Sequence, residues 1–385
     1  MARRREIEGD IVMGWPDRKR STAAARQDPE GRVMFVQTPW WELQGLTTPV
    51  DLRYVVQHMS VPEPVPPEDW TFSVEGEGIE HPLSVSLTDL QQMATRTVRA
   101  VTECSGNDSV FFDTIEPGGQ APSLYDLDNF AAGTISAGEF TGVPLRDVLE
   151  RAGLNRRAVS VRVQGFDRGS PGPAPGARRI PDEMNYDKAL PLEKALDPDT
   201  ILAWGLNGEY LRHVHGAPVR LVVPGWAGNW WIKWVDSIEV LYESPWCFYQ
   251  DEYYYYSESP EDPNREMITT VGVKAAITEP TDHDSPLPAG PRLIRGLAWS
   301  GEGEITGVEI STDGGSSWNQ AELEPPLDRW MWARWSYQWN VKSAGQHQVM
   351  ARATDAAGRI QPLKARWNHL KKNYDAVIPL ELDFD

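Results

Sequence analysis

The chain has 385 residues, enough for two ordinary domains. Its 40% hydrophobic and 24% charged residues give the balance of a soluble globular protein with a sizeable core. The net charge of −19 argues against a nucleic-acid partner, which needs a basic face. It suits either plain solubility or a basic soluble partner drawn in at long range.

Two cysteines, Cys104 and Cys247, do not make a disulfide scaffold in a chain of this length. No run of about 18 apolar residues occurs, so no membrane span is expected. Arg3, Arg4 and Arg5 are followed by Glu6, Glu8 and Asp10 rather than by an apolar leader. The expected location is cytoplasmic, or periplasmic if a leader has been removed. The 17 tryptophans require buried or ligand-lined positions.

In chain order, residues 1–45 are polar and read as an irregular arm, and 61–67 are proline-rich. Thr88 looks like a capping hydroxyl before a helix. Residues 144–152 predict a second helix: Pro144 suits the first turn, Leu145, Val148, Leu149 and Ala152 share a face, and Gly153 ends it. Residues 168–180, with three prolines and three glycines, predict a long loop. The apolar runs 219–223 and 238–241 predict buried strands.

The acidic, proline-rich stretch 258–264 marks a boundary. Beyond it, 293–298, 307–312, 330–335 and 348–354 read as short strands, with a turn at Asp313-Gly314-Gly315. Strands at this spacing predict a β-sandwich of immunoglobulin type. The expected fold is therefore α+β: an arm over 1–45, a mixed α/β domain over 46–263 and a sandwich over 264–385.

Two stretches could carry chemistry. A lone cysteine is ordinarily a small buried hydrophobe. Cys104, however, precedes Ser105-Gly106-Asn107, a sequence suited to a tight turn that exposes a thiolate to backbone N–H groups. A soft thiolate suits a redox metal. The second stretch, 211–234, gathers His215, Arg220, Gly228, Asn229 and Lys233 among tryptophans. Cationic and amide donors of this kind can hold phosphate and a polar ring system. The same stretch also reads as a solvated loop over packed tryptophans. A zinc site is the weakest alternative, since the cysteines lack paired spacing and only His213/His215 resemble ligands.

The segment Cys104-Ser105-Gly106-Asn107 resembles the molybdenum-ligand motif of the sulfite oxidase family. Residues 139–145 (EFTGVPL), 190–195 (LPLEKA), 215–225 (HGAPVRLVVPG) and 299–318, with its Ser311-Thr312-Asp313-Gly314-Gly315 and Trp318, resemble the family's later hallmarks in order. The resemblance spans about residues 46–365.

It implies a molybdenum-molybdopterin cofactor and a homodimer built through the C-terminal domain. No Cys-x-x-Cys-His occurs and no recognisable b-type haem domain fits in the first 45 residues, so no haem is expected in this chain. Cys104 would be the metal ligand and Tyr186 the active-site tyrosine. Tyr54, Val55, Val56, Gln57, His58, Asp167, His215, Arg220, Trp231, Ile232 and Lys233 would contact the cofactor. Ser109, Lys188 and Trp230 would face the substrate.

The implied reaction is oxygen-atom transfer to a sulfur compound, with sulfite as the default. Electrons would pass to a separate acceptor such as a c-type cytochrome. The family's three substrate-binding arginines are missing: Val56, Ser109 and Trp230 stand in their places. A slip of one residue would bring in Arg53, and Lys188, Arg178 or Arg179 could also supply charge. Trp226, Trp230 and Trp231 would instead form an aromatic wall. The alternatives are a sulfane-sulfur dehydrogenase, an S- or N-oxide reductase, and a non-catalytic cofactor-binding protein.

Overall fold

A computed structural model describes residues 10–13, 18–21, 25–43, 45–115, 122–126, 132–174 and 176–385. Residues 1–9 of the expected arm, and Pro175 in the expected long loop, lie outside the described residues.

Two five-stranded sheets carry the first part of the chain. One has the order Met184–Pro191, Ser160–Gly169, Val235–Leu241, Thr71–Glu75, Leu83–Ser86. Its single parallel pairing joins Val235–Leu241 to Thr71–Glu75. The other runs Glu209–Tyr210, Ile201–Leu206, Ile135–Pro144, Arg96–Glu103, and Arg220–Val222 also pairs with Ile201–Leu206. Ile201–Leu206 is buried along its whole length, so it reads as a continuous apolar run rather than an alternating one.

The mixed α/β expectation is corrected toward β. The described α-helices are short, at Leu87–Gln91, Leu145–Arg151 and Leu192–Ala195. The first is capped by Ser86, not Thr88. Ser86 Oγ accepts from the Asp89 N–H at 3.1 Å, while the Asp89 carboxylate accepts from the Ser86 N–H at 2.9 Å. The second buries Leu145, Val148 and Leu149 and stops before Gly153, whose φ is +74°.

Two further expectations change. The strand Ser160–Gly169 takes the first two residues of the predicted loop, pairing Arg168 with Asn185. The expected arm is not irregular throughout. Val33–Val36 pairs with Arg26–Gln27 and Val55–Val56, burying Val33, Phe35 and Val36.

The C-terminal part forms two four-stranded sheets. One is Lys274–Glu279, Gly290–Trp299, Ala333–Val341, Glu322–Leu323; the other is Asn319–Gln320, Ile305–Ser311, Gly345–Asp355, Leu380–Phe384. Of the strand predicted over 330–335, only the end from Ala333 belongs to a strand.

The two parts share one apolar core. Trp40 meets Trp299 edge-on at 5.8 Å, and the Val101 N–H donates to the Trp330 carbonyl at 2.9 Å. Asp199 accepts from the Trp330 indole at 2.8 Å and from Arg329 at 2.6 Å. Six tryptophans, Trp40, Trp70, Trp230, Trp234, Trp332 and Trp335, are fully buried, and with Trp204, Trp231, Trp299 and Trp330 also buried the core takes up most of the 17.

Candidate active site

Cys104 stands one residue past the strand Arg96–Glu103, where the chain leaves the sheet into a turn. The turn is fixed from several directions. The Cys104 N–H donates to the Thr134 carbonyl at 2.9 Å, and the Asn107 N–H donates to the Cys104 carbonyl at 2.9 Å. Asn107 Oδ1 accepts from the Thr134 N–H at 3.1 Å and its hydroxyl at 3.2 Å. The Gly106 N–H donates to Cys104 Sγ at 3.4 Å. Burial pushes the thiol pKa up, while the Gly106 N–H and the Lys372 ammonium pull the other way. Both cysteines are free thiols.

The thiol lies on a cleft of about 730 Å³. Tyr54, Val55, Val56, Gln57, His58, Asp167, Tyr186, His215, Arg220, Trp231, Ile232 and Lys233 all line it with Cys104. The strand pairing of Val55–Val56 with Val33–Val36 sets one wall. A second wall is the segment 213–233, shaped by glycines. Gly216 has φ +102°, and a Cβ at Gly228 would come within 2.5 Å of the Tyr54 hydroxyl.

Cations gather at this second wall. Arg220 donates to the His215 carbonyl at 3.0 Å and the Trp231 carbonyl at 3.1 Å. Arg53 donates to the Ala137 carbonyl at 2.9 Å. Both guanidinium groups lie over Phe140, at 5.9 and 5.2 Å. Burial lowers the Arg220 pKa to about 10. Burial, with Arg220 close by, lowers that of Arg53 to about 9, so both stay charged at neutral pH.

Burial likewise brings Lys233 down and Asp167 up, each to about 7, with each opposing the other's shift. Gln57 donates to Asp167 at 2.9 Å. His58 is pushed down to about 3, by burial first and then by Lys372, and is therefore neutral. Its Nε2 lies 2.6 Å from the Tyr254 hydroxyl, and its ring is parallel to that of Tyr186 at 6.0 Å.

The three residues expected to face substrate do not line the cleft. Trp230 ends the 3-10 turn Gly228–Trp230, and its indole N–H donates away to the Ile268 carbonyl at 2.8 Å. Lys188 is fully buried: its ammonium donates to the Tyr249 carbonyl at 2.8 Å and sits over the rings of Trp230 and Tyr254. Ser109 opens the 3-10 helix Ser109–Ile115, its N–H spent on the Gly106 carbonyl. Of the expected aromatic wall only Trp231 lines the cleft.

Sequence reasoning reached Asn229 as an amide donor of 211–234 and Arg53 by a slip of one residue, and it missed Thr102, Tyr254 and Lys372. The run of four tyrosines at 253–256 was a visible signal for Tyr254. Lys372 had none. It arrives from the C-terminal part, and its ammonium comes within 3.9 Å of where a Cβ on Gly106 would be.

The donor set fits a large anionic cofactor. Arg220 Nε and Asn229 Nδ2 are buried and have no partner among the described residues. Such unpaired donors are costly unless a ligand completes them. Together with Arg53, Arg220 and Lys233 they suit a phosphate-bearing polar heterocycle, and the thiol suits its metal. No group of three His, Cys, Asp or Glu side chains among the described residues is arranged to hold a metal ion by itself.

Comparison with known proteins agrees. Residues 58–249 match the family described as oxidoreductase molybdopterin binding domain, and 265–375 match the Mo-co oxidoreductase dimerisation domain. Chicken (Gallus gallus) sulfite oxidase is 31% identical over 332 residues, covering 82% of this chain and 68% of that protein. A nitrate reductase of Hordeum vulgare is 32% identical, covering 84% of this chain but only 38% of its own length. The crystal structure of the sulfane dehydrogenase SoxCD from Paracoccus pantotrophus superposes with a TM-score of 0.78 at 26% identity, covering 94% of this chain and 87% of that one. With the thiol turn, the cationic wall and both domain matches in place, the chain belongs to the sulfite oxidase family of molybdopterin-dependent oxidoreductases.

Proposed function

We propose that this enzyme oxidises a sulfur compound by oxygen-atom transfer, with sulfite the small substrate to test first. The observation that carries this reading is the neighbourhood of Cys104: a half-buried thiol between a cationic wall and a face made of Tyr186, Tyr254 and the Lys372 ammonium. The molybdenum cofactor, when bound, supplies the oxygen-atom and two-electron chemistry. Cys104 would hold the metal. Arg53, Arg220 and Lys233 would meet the anionic end, and Asn229 Nδ2 and Arg220 Nε would find their acceptors there.

On the substrate side, Lys372 has no hydrogen-bond partner for its ammonium among the described residues and lies over the rings of Tyr253 and Tyr254, at 5.3 and 5.7 Å. It can attract an anion. Tyr186 can present its hydroxyl to the reacting oxygen. Burial holds the phenols of Tyr186 and Tyr254 protonated, as donation requires.

A second reading has its own support. One lysine among tyrosines holds a dianion less firmly than a cluster of arginines would, which favours a bulkier or less charged sulfane-sulfur substrate. The resemblance to a sulfane dehydrogenase over 94% of the chain points the same way. In both readings electrons leave to a separate acceptor, for which the net charge of −19 suits a basic cytochrome. We also infer a twofold dimer through the C-terminal sheets, which rests on the dimerisation-domain match.

The test is molybdenum content by elemental analysis, then ferricyanide reduction with sulfite and, separately, with a persulfide. Stoichiometric metal with fast sulfite turnover supports the first reading. Metal with turnover on persulfide alone supports the second. Protein without metal from a cofactor-competent host overturns both.

A further inference from the structure

Beneath the thiol turn lies a buried ion cluster that the reaction as described does not use. Lys274 opens the strand Lys274–Glu279 of the C-terminal part. Its ammonium donates to Glu103 Oε1 at 2.7 Å and to Asp108 Oδ2 at 2.5 Å. Trp299, paired with Lys274 across the sheet, donates its indole N–H to Glu103 Oε2 at 2.7 Å. Asn107 Nδ2 bridges the two carboxylates, at 2.9 Å from Glu103 and 3.0 Å from Asp108. Lys274, Glu103 and Asp108 are each at most 5% exposed.

The two carboxylates bracket Cys104, one residue before it and four after. The chain between them makes the turn that presents Sγ, and Asp108 holds a left-handed φ of +61°. A non-glycine residue keeps that conformation only when its surroundings impose it. The ammonium of Lys274 ties the two ends together from outside the turn, beside the Asn107 amide that bridges them from within. A second clasp comes from the same part of the chain, where the Asn373 N–H donates to the Ser105 carbonyl at 2.6 Å. The shape of the thiol turn is therefore set by residues of the C-terminal sheets as much as by its own sequence.

We propose that Lys274 is a positioning residue for the Cys104 thiolate, fixing the turn between Glu103 and Asp108 so that Sγ points into the cleft. The C-terminal part then completes the metal site in addition to any role in dimerisation. This inference rests on the reading of Cys104 as the metal ligand.

Removing Lys274 alone would strand two buried carboxylates and threaten folding. The test therefore uses the double substitution Lys274→Gln with Asp108→Asn, which removes one charge of each sign and keeps side-chain shape, beside Lys274→Arg. Two readouts on purified holoenzyme report the turn directly. One is the electron paramagnetic resonance spectrum of the half-reduced metal, which is sensitive to the thiolate's orientation. The other is the rate of iodoacetamide labelling of Cys104, mapped by mass spectrometry with buried Cys247 as internal control.

The double variant is expected to keep its circular dichroism, to show a shifted or heterogeneous spectrum, and to label at Cys104 about tenfold faster or more. Lys274→Arg should restore most of the native spectrum. A well-folded double variant with native spectrum and native labelling overturns the proposal. If the wild-type protein binds no molybdenum, the metal-ligand reading fails by itself. The labelling comparison then still decides whether Lys274 orders the turn.

Discussion

The Tyr186 hydroxyl donates to the Asn229 carbonyl at 2.9 Å, and the Asn229 side-chain oxygen accepts from Ser105 Oγ at 3.0 Å. The phenol is thus tied, through one residue, to the neighbour of the thiol. This gives Tyr186 a fixed place on the cleft wall, with a proton that a substrate oxygen could take over from the Asn229 carbonyl. Tyr186→Phe should lower kcat by about 5- to 100-fold, equivalent to about 1–3 kcal/mol of barrier, with KM moving less. Steady-state kinetics with sulfite or persulfide check this, and an unchanged kcat removes Tyr186 from the chemistry.

Arg220 would serve the cofactor rather than the substrate. Arg220→Met removes two donors from buried carbonyls and one cation from the wall. Each lost charge-assisted contact costs about 1.5–3 kcal/mol, so pterin and molybdenum content should both fall by about tenfold or more. Pterin fluorescence after denaturation and elemental analysis measure the two separately. Full cofactor content in the variant would mean that the phosphate end lies elsewhere.

Much of this was legible in the sequence, and the exceptions share a physical cause. The turn at Cys104, the helix at Leu145–Arg151 and the cation-bearing segment 211–234 are local features, written in residue types at short spacing. Lys188 shows what local reading misses. It shares a strand face with Tyr186, two residues away, yet its long side chain carries the ammonium behind Tyr254 and Trp230. Trp230 follows the cleft-lining Asn229 but turns its indole toward Ile268. Lys372 and Lys274 reach the thiol turn from the far end of the chain, a contact that only the packing of the two parts creates. Strand spacing beyond residue 264 announces the C-terminal strands, which pair into two four-stranded sheets.

Lys372 gives a discriminating prediction about substrate charge. It is flanked by Lys371 and Asn373 in left-handed conformations, and Asn368 Oδ1 accepts from its N–H at 3.0 Å, so its position is built rather than incidental. Lys372→Met should raise KM for sulfite about tenfold or more through loss of a charge-assisted contact. KM for a neutral substrate should stay within about twofold. A sulfite KM that does not move would place the substrate anion away from this lysine.

Lys188 yields a stability prediction with a definite sign. Burial lowers its pKa to about 7 from an unfolded value of 10.5. Between these values the unfolded chain holds the proton and the folded chain releases it, so stability rises with pH across this window. The slope contributed by one such group is about 1.4 kcal/mol per pH unit. Below pH 7 both states are protonated and the full cost of burying the charge is present; above about 10.5 it is gone. Lys188→Met, which keeps the apolar stem against Trp230 and Tyr254, should therefore be more stable than wild type at pH 7, with the advantage shrinking by pH 9. Urea unfolding of the two proteins at both pH values gives the difference, in which all other titrating groups cancel. An advantage that is the same at both values would mean that Lys188 keeps its proton when folded, held by the Tyr249 carbonyl and the two rings.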